Sequence, residues 1–113
     1  MSETIAIIAT CDTKGEEALY LKQRIESYHM NGLVVDSGIL GEPVFLTPEV
    51  THDQVAGYSG FSIKELVDAG SRGAAVEKMR DCIHAYVQKL YEEKKIQGLI
   101  AVGGAEGSVI ARA

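Results

Sequence analysis

The spacing of apolar positions along this chain changes period, and the changes separate strands from helices. Thr4 to Thr10 reads Thr-Ile-Ala-Ile-Ile-Ala-Thr, continuously apolar in its middle. A half-exposed strand alternates in and out, so this run predicts a strand covered on both faces, as in a parallel sheet. From Thr13 the period lengthens, and Ala18, Leu21, Ile25 and Tyr28 fall on one side of a helix. Thr13 and Glu16 have capping-box spacing at its start, and Asn31-Gly32 supplies a left-handed stop. Leu33 to Asp36 is a second short apolar run, which completes a βαβ unit.

Gly38 to Pro43, with two glycines and a proline, cannot continue a central strand and predicts a loop over the sheet edge. Between Thr51 and Gly70 the pairs Thr51/Gln54 and Ser62/Glu65 mark two short capped helices, with Gly57 and Gly60 breaking the stretch. A longer helix is expected from about Gly73 to Lys95, burying Val76, Met79, Ile83, Val87 and Leu90. Gly98 to Val102 is a third apolar run and predicts a third buried strand. Gly103-Gly104-Ala105-Glu106-Gly107-Ser108 follows at once, then the start of a further helix. The expected fold class is α/β, a Rossmann-like three-layer αβα arrangement with a short parallel sheet. A helix begun and not completed suggests an incomplete domain, so residues 1–113 read as the N-terminal part of a nucleotide-binding α/β domain.

Composition narrows the function. The 113 residues suffice for one small core, and a net charge of −5 argues against a nucleic-acid partner, since phosphate backbones attract clustered Lys and Arg. No apolar run approaches the roughly 20 residues of a membrane span. Met1 to Thr4 lacks the basic start of a signal peptide. No membrane contact and a cytoplasmic location are therefore expected. Cys11 and Cys82 read as reduced thiols, with Cys11 near a helix start that would lower its pKa or, more simply, a small buried residue. His29, His52 and His84 show no metal spacing and read as surface or boundary residues. No metal site is expected, and no catalytic set is identifiable.

The candidate chemistry lies in the loops. Gly103, Gly104, Gly107 and Ser108 stand between a strand and a helix start, where glycine allows close backbone approach and free N–H groups favour an anion. A tight turn with an ordinary cap is the alternative. Thr10, Asp12, Thr13 and Lys14 follow the first strand and open at the same carboxyl edge, where open parallel sheets bind their ligands. Lys14 offers a mobile charge and Thr13 a hydroxyl, while Asp12 offers a ribose contact, a metal contact through phosphate, or only the turn. Asp36 falls 21 residues after Gly15, roughly where dinucleotide domains place a ribose-binding acid, or is simply a residue of the turn into the loop. Gly38 begins the loop beside it. Arg72, at the start of the long helix, is a candidate clamp for phosphate or carboxylate. Neither the phosphate-loop pattern nor Gly-x-Gly-x-x-Gly is present.

Together, Thr10-Cys11-Asp12-Thr13-Lys14-Gly15-Glu16, Asp36 to Pro43, Arg72-Gly73-Ala74-Ala75 and Gly103 to Ser108 resemble, in order and spacing, one family. It comprises bacterial and fungal proteins related to the plant tobamovirus-resistance protein, an inhibitor of viral RNA replication. The resemblance implies an N-terminal ATP-binding domain within a protein of several hundred residues. It carries binding roles onto Thr10, Asp12, Lys14, Gly103, Gly104, Gly107 and Ser108, with Ala105, Glu106 and Ser108 where the family more often has Ser, Gly and Thr. The leading expectation is a nucleotide-binding module for ATP, phosphates lying over the loops after the first and third strands. The alternatives are a transferase of phosphoryl or nucleotidyl groups using Mg²⁺ held through phosphate, and an interaction domain with nucleotide as structural ligand. A three-stranded sheet leaves an edge unpaired, so the remainder of the protein or a second copy in a homo-oligomer is expected to cover it.

Overall fold

A computed structural model describes residues 3–38, 42, 43, 46–68 and 72–102, the Arg72 side chain excepted. Three parallel strands, β1 (Thr4–Ala9), β2 (Asn31–Asp36) and β3 (Gly98–Val102), lie in the order β2-β1-β3. The apolar run of β1 is central, and its side chains alternate between two helix layers. Ile7 and Ala9 pack with Val34 against α1 (Cys11–Ser27) through Cys11, Ala18 and Ile25. Ala6 and Ile8 pack with Val35 against α2 (His52–Tyr58), α3 (Ile63–Val67) and α4 (Arg72–Glu92). The result is the expected α/β fold with a three-stranded parallel sheet. Burial on both faces is why β1 carries no polar alternation.

Several local readings hold. Thr51 Oγ1 accepts from the Gln54 amide at 3.2 Å while the Gln54 side chain accepts from the Thr51 amide at 2.8 Å. Ser62 and Glu65 make the same reciprocal pair at 3.1 Å each way. Gly60 breaks the stretch at φ +88, whereas Gly57 lies inside α2. In α4 the buried stripe is Ala75, Met79, Cys82, Ile83, Val87 and Leu90, close to the expected one, and the helix ends at Glu92 rather than Lys95.

Others are corrected. Helix α1 begins at Cys11 and not at Thr13, because the Thr10 carbonyl captures the amides of Thr13 and Lys14 at 3.0 and 2.7 Å. The Thr13 hydroxyl therefore turns back to Thr10, 3.0 Å between the two Oγ1 atoms, and the backbone leaves helical angles at Lys14 (φ −119, ψ 21) before resuming. The left-handed stop is His29 at φ 64, and Asn31-Gly32 opens β2 instead. Gly32 is there for space: a Cβ would stand 2.9 Å from Lys22 Cγ on α1. Tyr28, expected inside, is 64% exposed beneath the Arg24 guanidinium. β3 forms as expected but is not fully buried, with Leu99 and Ile100 about 40% and 39% exposed. Among the described residues it pairs only with β1.

Candidate functional site

Register brings the three strand ends level. Ala9 stands opposite Asp36 on one side and opposite Val102 on the other. The chain leaves β1 for the α1 face and returns to β3 from the α4 face. The connections therefore diverge between β1 and β3, which makes that junction a topological switch point. Thr10, Asp12, Thr13 and Lys14 leave the end of β1 at this junction, and residues 103–108 follow Val102 in sequence. Gly103, Gly104, Gly107 and Ser108 lie outside the described residues. Arg72 opens α4, which carries the chain back along the sheet toward the start of β3.

The first turn of α1 is less open than its sequence implies. Free amides at a helix start attract anions. Here the Cys11 amide already donates to Asp36 Oδ1 at 3.1 Å, and those of Thr13 and Lys14 are taken by Thr10. Lys14 Nζ lies 3.6 Å from Glu17 on the surface, a contact of little energetic weight in that solvated setting. What the turn still presents is the half-buried Asp12, the Thr10–Thr13 hydroxyl pair and the Lys14 ammonium.

Asp36 ends β2 and is 1% exposed. Its Oδ1 accepts a second hydrogen bond, from the Gly38 amide at 2.9 Å. Burial pushes its carboxyl above the usual range, against the opposing pull of the Gly38 and Cys11 amides and the His52 charge. Gly38 sits close in this setting: a Cβ would stand 3.0 Å from Asp12 Oδ1 and 3.2 Å from Asp36 Oδ1, so a larger residue would crowd the two carboxylates. Asp36, placed by spacing as a ribose contact, thus ties the end of β2 to the start of α1. The buried Cys11 thiol is pushed up to about 12, first by burial and then by the charges of Asp36 and Asp12. This is opposite to the lowering a helix start would give, and the Cys11 Sγ donates toward the Ala9 carbonyl at 3.6 Å.

His52 is the residue the sequence reading missed. It is 5% exposed, not on the surface, and its Nδ1 lies 2.9 Å from Asp36 Oδ2. The two atoms are close but poorly aligned, and neither makes a directed hydrogen bond despite burial. Nε2 looks outward toward Asp53 Oδ2 at 3.7 Å and Glu42 Oε1 at 3.9 Å. A signal was present. His52 precedes the buried Val55 and Ala56 by three and four positions on one helix, so it shares their inward face. Among the described residues no group of three or more His, Cys, Asp and Glu side chains is placed to hold a metal ion, and no helix is long and apolar enough to cross a membrane.

Comparison with known proteins matches residues 3–113 to the N-terminal domain of the uncharacterised protein family UPF0261. A UPF0261 protein of Clostridium tetani is 39% identical over 111 residues, covering 98% of this chain and 27% of its own. A UPF0261 protein of Brucella suis is 32% identical over 110 residues, covering 97% and 26%, and one of Rhizobium meliloti is 27% identical over 106 residues, covering 94% and 25%. The chain thus spans about a quarter of the length of the curated relatives it matches. Similarity along nearly all of these residues makes the chain a member of the UPF0261 family, in the region of its N-terminal domain.

Proposed function

We propose that the carboxyl edge of this sheet binds a nucleotide, with ATP as the ligand. The observation that carries the reading is the switch point between β1 and β3, where register brings the strand ends level and where open parallel sheets bind their ligands. The resemblance to relatives of the tobamovirus-resistance protein supplies ATP in particular. Because Asp36 and Thr10 already hold the first amides of α1, this reading assigns phosphate chiefly to the Gly103–Ser108 segment. Lys14 and the Thr10 and Thr13 hydroxyls then contribute from the side, as side chains.

The site extends beyond these residues in the same reading, since the curated relatives are several times longer. The open edge of β3 is where further sheet adds. A thermal-shift assay on the full chain tests the proposal. ATP with Mg²⁺ is expected to raise the melting temperature, and Gly104→Asp to remove most of that rise. No rise with ATP, alongside a clear one with NAD, would overturn it.

A further inference from the structure

Asp36 joins three parts of the molecule through one carboxyl group. Its Oδ1 holds the Cys11 amide from α1 and the Gly38 amide from the loop after β2, and its Oδ2 faces His52 of α2. The terminal torsion of an aspartate is intrinsically broad, so two amides on one oxygen do not fix the carboxylate plane by themselves. His52 is well suited to fix it. The Thr51–Gln54 capping box anchors the backbone beside it, and burial to 5% exposure leaves the ring little room to turn. The other charged groups around the pair are Asp53 on α2, Glu42 on the loop, and Asp12 and the Cys11 thiol on α1.

We propose that His52 is a positioning residue of the carboxyl edge, holding the Asp36 carboxylate so that its Oδ1 fixes the Cys11 and Gly38 amides. Through Cys11 it sets where the following turn presents Asp12, Thr13 and Lys14. Only this last step, from turn to ligand, rests on the nucleotide reading.

The test uses the full chain with ¹⁵N-labelled cysteine, because Cys11 reports on the edge and Cys82, on α4, serves as an internal control. In the unmodified protein the Cys11 and Cys82 amide signals give the two reference positions. His52→Ala is expected to displace the Cys11 signal and weaken ATP binding several-fold. His52→Gln, whose side-chain N–H can reach toward Oδ2, is expected to return most of both, while Cys82 stays still in both variants. A Cys11 signal left far from its reference position by His52→Gln overturns the proposal, whether or not His52→Ala folds. So does a Cys11 signal unmoved in a folded His52→Ala. If the unmodified protein does not bind ATP, the nucleotide reading fails, while the Cys11 signal still decides the role of His52.

Discussion

The two edge strands, β2 and β3, carry similar apolar runs and are finished in different ways. The outer edge of β2 is closed from within the chain. Val50 forms a parallel bridge to Val35, taking the Asp36 amide on its carbonyl and donating to the Val34 carbonyl, each at 3.0 Å. Glu49 Oε1 accepts the Val34 amide at 2.9 Å, and Glu49 Oε2 meets Lys22 Nζ at 2.9 Å. The last residue of β2 is the buried Asp36 with its His52 contact. β3 has no such finish among the described residues. Leu99 and Ile100 stand about 40% exposed on opposite faces, and an open apolar groove of about 200 Å³ runs under Leu99 between Ile8, Ile83, Val87, Tyr91 and Ile96. A continuous apolar run of this kind is the composition of a strand covered on both faces, which β3 is not among the described residues. Among the described residues, one edge of the sheet is therefore finished from within and the other is not.

The comparison breaks most readily at Asp36. Asp36→Ala strands two buried amides and leaves His52 without its carboxylate, so a loss of about 3–5 kcal/mol is expected in chemical denaturation. A loss below about 1 kcal/mol would mean that the β2 end is not held as described. Next comes a pair of registered residues on one face, Ile7 on β1, fully buried, and Ile100 on β3, 39% exposed. Ile7→Ala should cost about 2–5 kcal/mol in residues 1–113, and Ile100→Ala about 1 kcal/mol. Equal losses would show that β3 is as well covered as the centre.

A smaller effect sharpens the account of the sealed side. Burial raises the Asp36 carboxyl above its unfolded value, so the stability it contributes is present in acid and is lost as pH rises through the folded value. Asp36→Asn keeps an Oδ1 acceptor and cannot ionise. Denaturation midpoints between about pH 3 and 7 should show the unmodified chain losing ground to Asp36→Asn as pH rises. A gap that moves the other way would reverse the sign assigned to burial. Least in energy, the Cys11 thiol at about 12 should resist iodoacetamide near pH 8 until the chain is unfolded. Rapid labelling of the folded chain would contradict its burial.

Much of this was legible in the residues because it is local. Apolar runs give the strands, and Thr51/Gln54 and Ser62/Glu65 announce two helix starts within four residues each. Where two local signals compete, the reading slips. Thr13/Glu16 has the spacing of a capping box, but the Thr10 carbonyl reaches the Thr13 and Lys14 amides first and starts the helix early. The Asp36–His52 contact links a strand end to a distant helix start, and no local periodicity encodes such a pairing. Nor does composition reveal the exposure of β3, because Gly98 to Val102 reads the same whether its neighbour lies inside these residues or beyond them.

In the proposed function, the level strand ends at the β1–β3 switch point receive a nucleotide. Calorimetric titration of the full chain with ATP tests it most directly, using Lys14→Glu at the edge and Lys95→Glu, on the surface beyond α4, as the control. The account predicts saturable binding, strongly weakened by Lys14→Glu and unchanged by Lys95→Glu. No binding, or binding that the two substitutions affect alike, would contradict it.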